Sequence, residues 1–255
     1  MPRTDCQSDF SLYGQKTKLL LTAAGVQFQR VEQPMVLPRP DLEALGITYR
    51  RIPLLAVGKD VYCDSALIID TIVETLGKIP SGPHDNAYHA WGENTFQEAL
   101  GLVPPQALSP EFVKDRETIF PILKRSDLKS LRPSTLAGFQ ARLRQVENDF
   151  LSNSNGPFIG GDKLSVADVH VVFSIRWVLN DLGVSNEVGC SKQDFPKVWK
   201  MIESLPAAKP EVLSVEQAQK TIKESSYSAQ GPVEVQKDDP LGIAKGTQVS
   251  VESFE

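Results

Sequence analysis

Strand-like patterning fades well before the midpoint of this chain, and helix-like patterning dominates from Asn86 to about Leu205. A chain of this kind is restricted to a mixed α/β unit followed by a helical one. Lys16–Ala24 is rich in helix formers and stops at Gly25, suited to a left-handed helix end. Val26–Val31 then alternates apolar and polar side chains, as a half-buried strand does. Three prolines keep Pro34–Pro40 irregular, and Asp41–Leu45 predicts one helical turn closed by Gly46. Ile52–Gly58 and Asp60–Cys63 read as a hairpin around Gly58-Lys59. Ser65–Leu76 carries Ile69, Ile72, Val73 and Leu76 at helical spacing before Gly77. The predicted order is therefore α-β-α-β-β-α.

A Pro- and Gly-rich stretch, KIPSGPHD, separates this unit from the rest. The expected organisation is a domain over residues 1–78, a linker over 79–85, a helical domain over 86–208 and a tail over 209–255. In the helical part, Leu136, Phe139, Leu143, Val146 and Phe150 form one apolar stripe. Val166–Leu179 is apolar on nearly every side, which predicts a helix at the centre of a bundle. The tail reads as loosely attached, with a small hairpin formed by PVEVQ and TQVSV.

A net charge of -5 over 255 residues argues against a nucleic-acid partner, which would demand a concentrated basic surface. The sequence has no run long enough to span a membrane and no apolar leader in its first residues, so a cytosolic location is expected. Cys6, Cys63 and Cys190 are odd in number and far apart, which fits neither a disulfide framework nor a metal site. Dinucleotide, P-loop and zinc-protease motifs are missing from the sequence. Asp168 follows Ser165 at the spacing of a reciprocal capping box, a structural role that outweighs a catalytic one. His170, two residues on, points to a different face, so the two do not make a relay.

Three features of the first half point to chemistry. Ser11 stands just before the first helix, where unpaired N–H groups favour an anion; it also has the simpler role of a helix cap. Ile52-Pro53 opens a strand with a residue that cannot donate to a ladder, suggesting an edge position or a cis turn that leaves the Ile52 backbone open to a ligand. Asp64-Ser65 lies between a strand and a helix, where a carboxylate can accept from an ammonium and a hydroxyl can hold a carboxylate.

The stretch PRPDLEALGITYRRIPLLAVGKDVYCDS at Pro38–Ser65, together with FIGGDKLSVADV at Phe158–Val169, resembles the cytosolic glutathione transferases. Within that superfamily the chain looks most like fungal members attached to secondary-metabolite pathways. The resemblance covers about residues 8–206. It implies the glutathione-transferase fold, a thioredoxin-like N-terminal domain and a helical-bundle C-terminal domain, with glutathione as cosubstrate. By the same resemblance Ser11 would hydrogen-bond the thiolate, with Tyr13 as the alternative activator. Ile52 would pair its backbone with the cysteinyl unit, with Pro53 as the cis proline. Asp64 and Ser65 would hold the γ-glutamyl end, and Arg51, or more weakly Arg39, the glycyl carboxylate.

The partner implied is a small-molecule electrophile, held by the helical half along Asn86–Phe96 with Tyr88, His89 and Phe96 as wall residues; His89 reads either as an acid or base or as packing. The reaction would be conjugation, or thiol-assisted isomerisation or lyase chemistry, by a homodimer. Two departures are visible: Ser11-Leu12 replaces the usual Ser-Pro, and Arg3–Ser8 is polar where the central strand should be apolar. The polar segment predicts a weakly formed first strand and leaves two further readings open, a glutathione-independent enzyme and a non-catalytic binding protein.

Overall fold

A computed structural model describes residues 1–8, 11–228 and 237–249. Its first unit is a four-stranded sheet of order β2-β1-β3-β4, built from β1 (Arg3–Gln7), β2 (Gln29–Glu32), β3 (Leu54–Val57) and β4 (Asp60–Cys63). β1 pairs with β2 in parallel and with β3 antiparallel. α1 (Leu12–Ala23) crosses between β1 and β2, and α2 (Pro40–Glu43) lies between β2 and β3. α3 (Ser65–Thr71) follows β4 and widens into a π turn over Ile72–Leu76.

The expected weakness of the first strand is corrected. β1 sits at the centre of the sheet, with Thr4, Asp5, Cys6, Gln7 and Ser8 all buried. Its backbone ladder is made on both sides, which polar side chains do not prevent. The cost appears in the side chains instead: the Asp5 carboxylate oxygens and Gln7 Oε1 are buried with no hydrogen-bond partner among the described residues. Burial raises the Asp5 pKa to about 8, with Arg30 and Lys18 opposing it only in part. The second strand is also shorter than Val26–Val31. Gly25 turns the chain at φ +70° and the Val26 N–H donates to the Leu21 carbonyl at 2.9 Å, so residues 26–28 finish the helix end rather than start the strand.

The helical part comprises α4 (Asp85–Ala99), α5 (Pro110–Arg116), α6 (Leu128–Gln145), α7 (Val166–Arg176) and α8 (Pro196–Glu203). Every residue of α7 from Val166 to Ile175 is buried, and Ser165 and Asp168 close the capping box at its start. The sequence stripe falls on α6 and the π turn after it, where Phe139, Leu143 and Val146 are buried. α4 lies along α7 at Gly92, where a Cβ would come within 2.0 Å of the His170 carbonyl oxygen. Among the described residues no helix is long and apolar enough to cross a membrane.

The tail needs a second correction. Residues 211–213 run along the edge of β2: Arg30 N–H donates to the Glu211 carbonyl at 2.8 Å and Leu213 N–H to the Arg30 carbonyl at 2.7 Å. α9 (Val215–Glu224) then starts at a Ser214/Gln217 capping box. Leu213 and Ala218 pack with Leu42 of α2 on the sheet face formed by Cys6, Val31 and Leu54. The Ser228 N–H reaches Asp60 Oδ2 at 2.7 Å. This part of the tail is therefore a strap across the first unit, while the hairpin expected from 232–236 and 247–251 falls largely outside the described residues.

Candidate active site

Where the two units face each other a cleft opens with two joined lobes. The polar lobe, about 390 Å³, is bounded by Tyr49, Asp64, Ser65, His89, Glu93 and Gln97. The apolar lobe, about 540 Å³, has Phe96, Leu100, Val103, Phe112, Leu123 and Trp177 in its walls. Tyr13, Arg51, Ile52, Ile119 and Phe120 belong to both. The polar and apolar lobes thus share one wall.

The sheet unit supplies most of the polar lobe. Ser11 caps α1, its Oγ accepting from the Gly14 N–H at 3.1 Å, and the hydroxyl proton is not consumed by that bond. Ser11 is buried and forms part of the apolar lobe where it adjoins Tyr13. The Ile52-Pro53 peptide is cis, as the sequence suggested, and brings both residues to the cleft. Asp64 adopts φ 73°, unusual for a residue with a side chain. Its Oδ1 accepts from the Ala66 N–H at 2.8 Å and the Tyr49 hydroxyl approaches Oδ2 at 3.5 Å, with Ser65 beside it at the start of α3.

Two residues expected at the site are elsewhere. Arg39 is buried, lines neither lobe, and donates to the carbonyls of Pro34 (2.9 Å), Met35 (3.3 Å) and Arg50, so it clamps the loop before β3. Tyr88 lines neither lobe; it lies edge-on against Phe150 at 5.1 Å, on the face of α4 that also carries Trp91 against the same ring. The reason is helical phase: His89, Glu93 and Phe96 step by four and three along the opposite face, toward the cleft. Phe96 is buried with its ring edge-on to Tyr13 at 5.5 Å. His89 is half-buried and stacks on His170 at 4.7 Å.

The structure also brings together a polar cluster that the sequence reading missed. Lys16 is buried under the cleft, its Nζ 3.1 Å from Glu93 Oε1 and 4.1 Å from the centre of the Phe173 ring. The Tyr13 hydroxyl donates to Glu93 Oε2 at 2.6 Å, and His89 Nε2 lies 3.5 Å from Oε1. Burial acts to raise the Glu93 pKa, but the contacts with His89, Lys16 and Tyr13 outweigh it and hold the carboxyl at about 2. Lys16 is pushed the other way, its pKa lowered by burial against the pull of Glu93. The 3.1 Å contact and the aromatic face over the ammonium favour the charged pair. Tyr13 is held from ionising by burial and by the Glu93 charge, and burial with Lys16 and His89 keeps His170 neutral, its pKa near 3. The one signal in the sequence is Lys16 itself, three and four residues before Leu19 and Leu20 on a helix face that is otherwise apolar.

The roof over both lobes is α5 and the turn after it. Arg50 reaches Thr118 Oγ1 at 3.2 Å, Asp115 Oδ1 accepts from the Leu37 N–H at 3.2 Å, and Arg116 donates to the Met35 carbonyl at 2.6 Å. A separate cavity of about 460 Å³ lies on the other side of α1 beside Lys18 and Arg176, and none of the expected site residues borders it.

A thioredoxin-like sheet domain followed by a helical bundle, with the cleft between them, is the glutathione-transferase fold. Residues 6–80 match the family described as glutathione S-transferase, N-terminal domain, and residues 98–212 match a domain of unknown function, DUF7962. Among solved structures, a GST-like protein from Pseudomonas syringae is similar at TM-score 0.64 and 23% identity, covering 95% of this chain and 81% of that one. A glutathione transferase homolog from Sulfitobacter with bound glutathione is similar at TM-score 0.52 and 14% identity, covering 86% and 97%. The Tau class glutathione S-transferase of mango, Mangifera indica, gives TM-score 0.54 and 15% identity over 87% and 96%. No curated protein matches. The family match thus covers the sheet unit, and the likeness to the solved structures is one of fold.

Proposed function

We propose that the protein binds glutathione in the polar lobe and presents its thiol to an electrophilic small molecule in the apolar lobe, for conjugation or for thiol-assisted isomerisation or lyase chemistry. The observation that carries this reading is the convergence of Ser11, the cis Ile52-Pro53 peptide and Asp64-Ser65 on one cleft. Asp64 takes the ligand ammonium and the Ser65 hydroxyl its neighbouring carboxylate. Arg51, on the shared wall, takes the glycyl carboxylate as a planar donor. The Ile52 backbone pairs with the cysteinyl unit.

Ser11 directs its hydroxyl proton to the sulfur, which lies where the lobes join. A hydrogen bond to a charged acceptor favours the thiolate, the nucleophilic form. The apolar lobe excludes water from the sulfur and holds the electrophile against it, so that attack is favoured by proximity. The well-formed central strand supports this reading: Ser11 N–H donates to the Ser8 carbonyl at 2.9 Å, tying the cap to the end of β1. Calorimetric titration with glutathione tests the proposal. A saturable heat at millimolar or lower concentration is expected; no heat together with no effect on the glutathione thiol would sink it.

A further inference from the structure

The cluster beneath the cleft sets the direction in which Tyr13 can act, an inference that rests on the glutathione reading above. A tyrosine hydroxyl has one proton, a carboxylate only accepts, and an ammonium only donates. The Tyr13 oxygen is 2.6 Å from Glu93 Oε2, so its proton lies in that bond. Lys16, with its side chain wholly buried, secures Oε1 at 3.1 Å, and Glu93 therefore has no other orientation open to it. Toward the cleft, where Tyr13 borders both lobes, the hydroxyl offers lone pairs alone.

We propose that Glu93, locked by Lys16, is a positioning residue that makes Tyr13 a hydrogen-bond acceptor toward the ligand and reserves donation to the thiolate for Ser11. In this arrangement Tyr13 can accept a hydrogen bond from the S–H of an un-ionised thiol, but it repels the thiolate. The charged and titratable groups around it are Lys16 below, His89 and Glu93 on α4, His170 on α7, and Asp64 and Arg51 across the polar lobe.

A single substitution reverses the polarity. In Glu93→Gln the amide oxygen must face Lys16, which can only donate, and the amide NH₂ then faces Tyr13. Tyr13 accepts from it and turns its own proton into the cleft, where it donates to the sulfur.

The experiment follows the near-ultraviolet absorbance of the glutathione thiolate bound to the full chain, as a function of pH. Wild type, Tyr13→Phe, Glu93→Gln and the double variant are compared. Tyr13→Phe keeps the ring packing on Phe96 and Phe173 and is expected to leave the bound thiol pKa unchanged or slightly lowered. Glu93→Gln is expected to lower it by about one unit or more, as a gained donor does. In the Tyr13→Phe background most of that fall should vanish. A rise of about one unit in Tyr13→Phe alone would show Tyr13 to be the thiolate donor and overturn the proposal. So would a Glu93→Gln effect of equal size with and without the Tyr13 hydroxyl, which would make it a plain charge effect.

If the wild-type protein takes up no glutathione, the transferase reading fails and a ligand-free arm decides the proposal. In proton spectra the Tyr13 hydroxyl, held in its 2.6 Å bond to Glu93, should give a downfield, exchange-protected resonance that Tyr13→Phe and Glu93→Gln both lose. No such resonance in wild type would mean that Glu93 does not hold the Tyr13 proton, and the proposal falls.

Discussion

Asp5 is the residue at which this sequence departs most from what a central strand should contain. Its folded pKa of about 8 stands above the ordinary 3.8, so between those values the folded protein holds a proton that the unfolded chain has released. Stability from this group is therefore complete at low pH and lost as pH rises through about 8. Asp5→Asn should flatten the dependence, its advantage over wild type growing by about 1 kcal/mol per pH unit between about pH 5 and 8. Urea unfolding at several pH values reads this directly. If Ser11 donates to the glutathione sulfur as proposed, Ser11→Ala removes one hydrogen bond to a charged acceptor, worth about 1.5–3 kcal/mol, so turnover should fall roughly ten- to hundred-fold with glutathione affinity nearly unchanged. Asp64→Ala should instead weaken glutathione binding, because the ligand ammonium carries the same charge throughout the reaction. Steady-state kinetics beside calorimetry separates the two. Ser11, Ile52, Pro53 and Asp64 were legible in the sequence because each does local work at an element boundary. Lys16 and Glu93 were not, because their partnership spans two domains, and a lysine on an otherwise apolar helix face does not say what it pairs with.

Among elements, the pairing of α4 with α7 is the most extensive contact between helices, and it depends on Gly92. Glycine is ordinarily a poor choice inside a helix. Here a Cβ would fall 2.0 Å from the backbone oxygen of His170, and a backbone atom cannot rotate aside. Gly92→Ala should therefore lower the melting temperature through overpacking, by about 1–3 kcal/mol of stability, despite the better helix propensity of alanine. A thermal melt no lower than wild type would mean that the two helices part easily. The same pairing stacks His89 on His170, so the variant should also disturb the polar lobe. Helix phase explains why Tyr88 was placed in the cleft from sequence and found outside it. A wall residue can be assigned only when the buried face of the helix is known, and Tyr88 and His89, adjacent in sequence, diverge by about 100°.

At the scale of the whole molecule, the chain returns at residues 211–228 to cover the sheet face opposite the bundle. Leu213 and Ile222 are buried there, Leu213 with Cys6, Val31 and Leu54. Leu213→Ala should cost about 2–4 kcal/mol by leaving a cavity against the sheet, measured as a lower denaturant midpoint. A midpoint unchanged from wild type would show that the strap adds little to the fold. The strap could have been read in part: Ser214 and Gln217 stand at capping-box spacing, and Ala218 and Ile222 follow at i and i+4. The surrounding Pro, Ser and Lys residues concealed it, since a short amphipathic helix gains its stability from what it packs on.

The sequence by itself determined the order of the elements from α1 to α3, the β3–β4 hairpin, the buried helix α7, the break at Ile52-Pro53 and the helix-boundary positions of Ser11, Asp64 and Ser165. All of these follow from local chemistry: glycine at left-handed turns, proline without a donor, hydroxyls and carboxylates at helix starts, and apolar spacing. Tertiary structure alone decided that a polar β1 could be central, because its ladder is made by backbone groups of two neighbouring strands. It decided that Arg39 would serve three carbonyls outside the two lobes, and which face of α4 would meet the cleft. It also decided that a lysine in α1 and a glutamate in α4 would share one buried contact, because the energy of that pair depends on desolvation and distance across the fold.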